Sequence, residues 1–123
     1  MREIKFKGWH LIDKYFIKVE AIYYDDDNKI RLIEYRDRDK KQRFSPITSI
    51  ELIEFTGLKD KDGKEIYEDD IVKMYSGQIT EIGWGDCGWR YLNEQRDPIP
   101  LLPAICRKLT VIGNICETPI KKP

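Results

Sequence analysis

Residues Thr56 to Lys73 read TGLKDKDGKEIYEDDIVK, and this stretch decides how the rest of the chain is interpreted. At its centre, Asp62-Gly63 favours a tight hairpin turn, because glycine tolerates the positive φ angles that such a turn requires. Lysines alternate with acids on both arms, which is typical of a solvated hairpin. The apolar pair Ile71-Val72 then begins a run rich in β-branched residues. The stretch therefore predicts a structural hairpin that opens a β domain.

The apolar flanks of this hairpin, rather than its charges, are expected to stabilise the fold. Exposed charge pairs contribute at most ~1 kcal/mol, whereas truncating a buried isoleucine to alanine costs roughly 2–5 kcal/mol. We expect burial of the apolar flanks, Leu58, Ile66, Tyr67, Ile71 and Val72. We expect solvent exposure of the charged residues nearest the turn, Asp60, Lys61, Asp62 and Lys64.

Calcium binding is the alternative interpretation of so many acids around one glycine. The EF-hand loop needs its glycine sixth, with oxygen ligands at positions one and twelve. Placing Gly63 sixth puts Leu58 first and Asp69 twelfth, so the first ligand is missing and the last is one methylene short. The spacing favours the hairpin, and no metal or other cofactor is predicted.

Composition and charge describe a folded, soluble chain without a global electrostatic field. Hydrophobic residues make up 41% of the 123 residues, and 22 basic residues balance 22 acidic ones. Neither nucleic acid nor anionic lipid is therefore attracted by net charge. Charged residues begin at position 2 and no apolar run approaches the ~20 residues of a membrane span, so we expect no membrane contact and a cytoplasmic location. Three cysteines without C-x-x-C spacing fit reduced thiols.

Charge is nevertheless uneven along the chain. The segment from Gly57 to Asp70 is net acidic, whereas the N-terminal residues and the tail after Pro103 are net basic. Oppositely charged patches can dock subunits on one another, so this distribution predicts a homo-oligomer.

Short β-rich runs separated by turn residues predict a mainly β protein. Alternation or β-branched content marks strands in Ile4–Trp9, Tyr15–Tyr24, Lys29–Tyr35, Ile47–Phe55, Ile71–Tyr75, Gln78–Trp84, Trp89–Leu92 and Leu109–Ile112. Asp97–Pro103 contains too many prolines for a sheet interior or a helix and is predicted to be a connecting loop. Arg36–Arg43, RDRDKKQR, is predicted to be a solvated loop or strand tip, with phosphate binding as the alternative.

The runs group into two parts. Residues 1–55 form an N-terminal β portion, and residues 56–123 form the hairpin and a small SH3-like β-barrel, or the two parts form one compact unit. The even spacing of the later runs is what suggests a small barrel.

Catalytic and metal-binding residues are sparse. His10 is the only histidine, and beside Trp9 it is interpreted as a surface or packing residue. A thiol nucleophile built from Cys87, His10 and Asp86 is disfavoured because nothing in the Gly85-Asp86-Cys87-Gly88 turn lowers a thiol pKa. Zinc would need Cys87, Cys106, Cys116 and His10, which are spread without a paired knuckle. The chain is therefore predicted not to be an enzyme.

An aromatic and basic edge is the candidate interaction surface. Aromatic rings around one turn can stack on bases or on a peptide, and nearby cations can meet phosphates. The candidate residues are Trp84, Trp89, Arg90, Tyr91, Arg107 and Lys108. In a small barrel the same aromatic residues more often belong to the core, and their exposure distinguishes the two interpretations.

Three blocks of the sequence resemble the YopX family of bacteriophage and prophage proteins. The blocks are MREIKFKGW at the start, TGLKDKDGKEIYEDDIVK in the middle and VIGNICETP near the end. The resemblance implies a β-rich fold whose C-terminal part is a small SH3-type barrel, and a phage or prophage origin. It brings no catalytic residues. His10, Asp69 and Cys116 stand where Asp, Gly and Tyr are usual in the family, so neither His10 nor Cys116 belongs to a shared site.

Together these features predict a phage- or prophage-encoded, non-enzymatic interaction module that self-associates in the cytoplasm of its bacterial host. Its further partner would be a host or phage protein. The alternative function is a nucleic-acid-binding accessory protein that uses the aromatic and basic edge of the barrel.

Overall fold

The computed structural model describes residues 5–85 and 88–117, and most of these residues lie in antiparallel strands, so the mainly β prediction is confirmed. The chain divides into two compact units. The N-terminal unit is Lys5–Glu54, and the C-terminal unit begins at Phe55. The boundary falls inside a strand, within one residue of the division expected at Phe55.

The N-terminal unit is a meander. Its strands are β1 (Phe6–His10), β2 (Tyr15–Tyr24), β3 (Ile30–Arg36), β4 (Gln42–Pro46) and β5 (Ile50–Lys59), with a 3₁₀ turn at Ile47–Ser49. They lie in the order β4-β3-β2-β1-β5, and β5 continues into the C-terminal unit. Inward-facing side chains form a small core of Ile17, Ile33, Tyr35 and Ile50. The charged segment Arg36–Arg43 is the tip of the hairpin that joins β3 to β4.

The C-terminal unit contains the remaining strands and one short helix. The elements are β6 (Glu65–Tyr67), β7 (Asp70–Met74), β8 (Ile79–Glu81), β9 (Gly83–Gly85), β10 (Gly88–Leu92), β11 (Pro98–Pro100), α1 (Pro103–Cys106) and β12 (Leu109–Asn114). They form the sheets β12-β7-β8 and β11-β10-β9, and β6 pairs with the end of β5. The core consists of Ile66, Val72, Ile82, Tyr91, Leu101, Cys106, Leu109 and Val111.

The SH3-like barrel was expected to be a closed sheet, but the described strands form separate antiparallel sheets and no closed barrel. Side chains replace the backbone ladder between β8 and β10. Thr80 Oγ1 accepts the Leu92 N–H at 3.3 Å, and Gln78 Nε2 donates to the Leu92 carbonyl at 3.1 Å. Hydrogen bonds of this kind join the two sheets without making them one.

The proline-rich span was predicted to be a loop, and this prediction is wrong for Pro98–Pro100, which is β11. The strand lies at the outer edge of its sheet and pairs with β10. Leu101 N–H donates to the Trp89 carbonyl at 2.9 Å. Because N–H directions alternate along a strand, Ile99 N–H also points to β10 and the nitrogens of both prolines point away from it. Prolines in this alternation therefore cost the sheet no ladder hydrogen bonds.

Candidate functional site

Four hairpins in the described residues share one five-residue turn. In each, the side-chain oxygen of the first residue accepts the backbone N–H of the fifth, and the fourth residue has positive φ. The turns are Asp25–Lys29, Asp37–Lys41, Asp60–Lys64 and Asn93–Asp97. The three that begin with Asp read DDDNK, DRDKK and DKDGK. A recurring D-x-D-x-K pattern is therefore a sequence signal for this turn.

Asp60 was expected to be exposed, and this prediction is wrong, because the residue is only 6% accessible. Its Oδ1 accepts the N–H groups of Asp62 at 2.8 Å and Lys64 at 2.9 Å. Its Oδ2 accepts the N–H of Val111, in β12, at 2.9 Å. Burial acts to raise the pKa of Asp60, but these three donors and the nearby charge of Lys64 outweigh it and lower the pKa below its usual value.

The expected burial of the apolar flanks is confirmed for Ile66, Ile71 and Val72, which are at most 4% exposed. Leu58 and Tyr67 are half-buried. The hairpin is thus held both by its apolar flanks and by one carboxylate.

Asp60 and Lys61 together attach the hairpin to β12. Lys61 N–H donates to the Leu109 carbonyl at 3.1 Å, two residues before the N–H that Asp60 accepts. These hydrogen bonds satisfy backbone groups of β12 that lie on its side away from β7. They also place the backbone of Lys61 beside the start of β12.

A basic groove lies at this end of the C-terminal unit. Its lining residues are Lys61, Lys73, Met74, Tyr75, Arg107, Lys108 and Thr110. The four cations come from the hairpin, from β7 and from the residues directly after α1. No carboxylate belongs to the lining in the described part of the chain. The groove therefore concentrates positive charge in a protein whose net charge is zero.

The N-terminal unit has a groove of similar size but different charge. The basic groove encloses ≈ 670 Å³ and this mixed groove ≈ 590 Å³. The mixed groove is lined by Phe16, Lys18, Glu20, Arg36, Asp37, Arg38 and Lys40. Its acids are paired, Glu20 with Arg36 at 3.3 Å and Asp37 with Arg43 at 2.8 Å. The hydrogen bond from Arg43 lowers the pKa of Asp37. Charge, not size, distinguishes the two grooves.

The aromatic edge is only partly exposed. Trp84 is 54% exposed and packs edge-to-face on Trp89, with ring centroids 4.8 Å apart. Tyr91 is 8% exposed and belongs to the core, so it is not available to an external ligand. The Arg90 side chain lies across Gly83, where an added Cβ would come within 2.8 Å of Nη2. Trp84 is thus the ring of this edge that solvent reaches most.

Arg107 and Lys108 lie in the basic groove, as part of the same lining as Lys61, Lys73 and Tyr75. The sequence interpretation assigned both cations to the edge with the tryptophans and did not include the other three residues. Lys61 was expected to be solvent-exposed, and Lys73 and Tyr75 were placed in the predicted strand Ile71–Tyr75.

A buried polar pair, Asp70 and Asn114, fixes the turn that precedes β7. Asn114 Nδ2 donates to Asp70 Oδ1 at 2.9 Å and to the Glu68 carbonyl at 3.1 Å. Asp70 Oδ2 accepts the Tyr67 N–H at 2.7 Å. Asp69, which lies between Glu68 and Asp70 in the sequence, has a φ of 64°, a conformation that favours glycine. The pair is hydrogen-bonded within the fold and has the character of a structural network.

The residues considered for metal binding or nucleophilic catalysis have structural surroundings. His10 is buried, its Nδ1 accepts the Asp13 N–H at 3.0 Å, and its ring stacks on Tyr15. Cys106 is buried in the core, and burial raises the pKa of its thiol to about 11. Cys116 is half-buried, and Asp86 and Cys87 lie outside the described residues. Within those residues, no three ligating side chains cluster as a metal site would require.

No helix among the described residues is long and apolar enough to cross a membrane. The longest helical segment, α1, has four residues.

The fold and its surface define a small, mainly β protein with two compact units and a basic groove on the second. Its sequence matches the family described as "YopX protein" over residues 5–121. The chain therefore belongs to the YopX family.

A solved structure has the same fold. The chain is similar to protein EF1440 from Enterococcus faecalis, with 24% sequence identity, a TM-score of 0.72 and coverage of 97% of each chain. At this identity the likeness describes the fold alone. Comparison with curated proteins gives no significant match.

Proposed function

We propose that the protein is a non-enzymatic interaction module whose C-terminal unit binds an anionic polymer in the basic groove. The supporting observation is the convergence of Lys61, Lys73, Arg107 and Lys108, from three separate segments, on one groove lined by no described carboxylate. Like charges held together repel one another, and a polyanion relieves that repulsion while it releases its own counterions. The chain thus keeps a local positive field although its total charge is balanced.

A binding role also agrees with the structural roles of two ionisable groups, the Asp60 carboxylate and the Cys106 thiol. The carboxylate of Asp60 is occupied by backbone donors, and the thiol of Cys106 has a pKa of about 11, so it stays protonated at neutral pH. Both groups stabilise the fold. In the proposed setting, the protein is encoded by a phage or prophage, works in the cytoplasm of the bacterial host, and has an SH3-like C-terminal unit whose two sheets are joined through side chains.

The groove is tested by binding to a soluble polyphosphate at low salt. We expect Lys73→Glu with Lys108→Glu to weaken binding at least tenfold, because the double change cancels the net positive charge of the groove's four cations. We expect the affinity of the unchanged protein to fall steeply with salt, with a log–log slope of about −3 for four cations.

The matched control is Lys29→Glu with Lys41→Glu, which changes net charge equally at exposed hairpin tips of the N-terminal unit. We expect this control to retain binding within about threefold, an effect typical of net charge alone. Equal weakening by both double variants, or no binding by the unchanged protein at low salt, would contradict the proposal.

Self-association is a second candidate function, supported by an aromatic face on the N-terminal unit. Tyr23, Tyr24 and Phe44 are 41%, 58% and 53% exposed, and the Tyr23 and Phe44 rings lie 6.4 Å apart. Exposed aromatic rings are enriched at protein interfaces. Sedimentation over a range of protein concentrations should show a dimer or larger species that Phe44→Glu dissociates. A monomer at every concentration would contradict it.

A further inference from the structure

The register of β7 and β12 puts the central residues of the basic groove on one face. Lys73 lies opposite Thr110, and Met74 lies opposite Leu109. Tyr75 directly follows β7 and Lys108 directly precedes β12, and both line the groove beside Lys73 and Thr110. The opposite face carries Val72 and Val111, which belong to the core.

Tyr75 is the feature of this face that simple charge does not explain. Its side chain is 92% exposed, more than any other large hydrophobic residue described. It lies in a tight turn closed by hydrogen bonds between Met74 N–H and the Gln78 carbonyl, at 2.8 Å, and between Gly77 N–H and the Met74 carbonyl, at 2.9 Å. The backbone beneath the ring is therefore held by the hairpin while the ring stays in water.

An exposed aromatic ring beside a row of cations has the chemistry of a single-stranded nucleic-acid site. Such sites combine a positively charged groove that follows the phosphate backbone with rings on which bases stack. In a duplex the bases are already stacked on their neighbours, so a single protruding ring gains little from it. An acidic protein would match the cations but would not use the ring.

We propose that the basic groove binds single-stranded nucleic acid, with Tyr75 stacking on an unpaired base and Lys73, Arg107 and Lys108 contacting the adjacent phosphates. This inference rests on the proposed function and specifies its anionic polymer. Lys61, held by the Asp60 hairpin, extends the row of cations at one side of the groove.

The test uses fluorescence anisotropy of the full chain with four labelled polymers of matched length. They are oligo-thymidine, the same backbone with abasic sites, a DNA duplex and polyglutamate. We expect oligo-thymidine to bind about tenfold or more tightly than the abasic strand, because base stacking on one ring is worth ~1–3 kcal/mol.

Variants at Tyr75 separate stacking from charge. Tyr75→Ala should weaken oligo-thymidine binding about tenfold and leave abasic and polyphosphate binding unchanged, and Tyr75→Trp should keep the preference for bases. Ile12→Ala, which removes another large exposed hydrophobic side chain in the N-terminal unit, is the control and should change none of these affinities.

The outcomes distinguish this inference from the proposed function. If polyphosphate binds but the duplex, the abasic strand or polyglutamate binds as tightly as oligo-thymidine, the nucleic-acid inference is overturned and the anion groove stands. An unchanged oligo-thymidine affinity in Tyr75→Ala overturns it as well. If polyphosphate does not bind, the proposed function itself fails.

Discussion

The turns at Asp25–Lys29 and Asp60–Lys64 have the same local hydrogen bonds but different surroundings. In both, Oδ1 of the aspartate accepts the N–H groups of the third and fifth residues at 2.8–3.0 Å. The hydrogen bonds of the Asp25 turn are exposed to solvent. Asp60, in contrast, is buried and also accepts a hydrogen bond from the N–H of Val111, 51 residues away. One motif therefore closes a hairpin in one unit and joins distant strands in the other.

The difference lies in the second carboxylate oxygen. Only Oδ1 is needed for the turn, since Asn93 makes the same contact to Asp97 with an amide oxygen. Oδ2 of Asp60 is the atom that reaches β12. A substitution that keeps Oδ1 and replaces Oδ2 therefore separates the local role from the long-range one.

Asp60→Asn should have the largest effect. The amide keeps an acceptor for the turn but presents an N–H₂ group or a weaker acceptor to Val111, and the charge is lost. Because hydrogen bonds to a buried charged group are worth ~1.5–3 kcal/mol each, we expect the free energy of unfolding to fall by about 2–4 kcal/mol. Urea denaturation measures this change.

Asp25→Asn is the matched control, and it should change stability by less than about 0.5 kcal/mol, as surface substitutions usually do. Equal losses of stability in the two variants would mean that each aspartate contributes to the free energy of unfolding through its turn, and not through a contact with β12.

The pH dependence of stability sharpens the same comparison. The pKa of Asp60 is lowered in the folded protein, so its stabilising contribution is present above the unfolded pKa, ~3.9, and is lost as pH falls through the folded value. The stability difference between the unchanged protein and Asp60→Asn should therefore be largest near neutral pH and shrink below about pH 4. Urea midpoints measured from pH 7 to acid would show this. A difference that stays constant down to the acid limit would mean that Asp60 acts by shape and not by charge.

An effect smaller than that of Asp60→Asn is expected at the fourth position of the turns, where Gly63 and Asn28 both have positive φ, 81° and 60°. A Cβ at Gly63 meets no atom within 4 Å, so only backbone strain counts there. Gly63→Val should cost about 1–2 kcal/mol, because L-residues with a branched side chain disfavour the left-handed region. Gly63→Asn should cost clearly less, since Asn28 already occupies the equivalent position. Thermal melts that rank the two variants equally would contradict the strain argument.

Most of the strands could be predicted from the sequence because their signals are local. The strand Tyr15–Tyr24 begins and ends where it was predicted to. The pair Asp62-Gly63 lies in a hairpin turn, as predicted. Pro98–Pro100 was missed because prolines are compatible with a strand only at an open edge, and edge position is a property of the whole sheet. Joining the two sheets into one would need backbone pairing between β8 and β10. The side chains of Thr80 and Gln78 make the hydrogen bonds between these strands instead.

The candidate site was predicted less well because it is assembled from distant segments. The three D-x-D-x-K turns look alike in sequence. Of their first aspartates only Asp60 is buried, and it is the one that contacts Val111 in a distant strand. Arg107 and Lys108 were proposed to contact phosphates, but the position of their neighbour Lys73 depends on the pairing of β7 with β12, and that of Tyr75 on the turn after β7. Tyr91 was a candidate for the interaction surface or for the core, and the choice depends on which face of β10 meets the core.

The alternating prolines of β11 also limit how copies of this protein can join. An exposed edge strand normally offers unpaired N–H groups on which a strand of another chain can add, which is a route to domain swapping and fibrous aggregation. Pro98 and Pro100 have no N–H to offer at the outer edge of their sheet. Growth of this sheet by strand addition is therefore blocked on that side, and contacts between molecules there must rely on side chains.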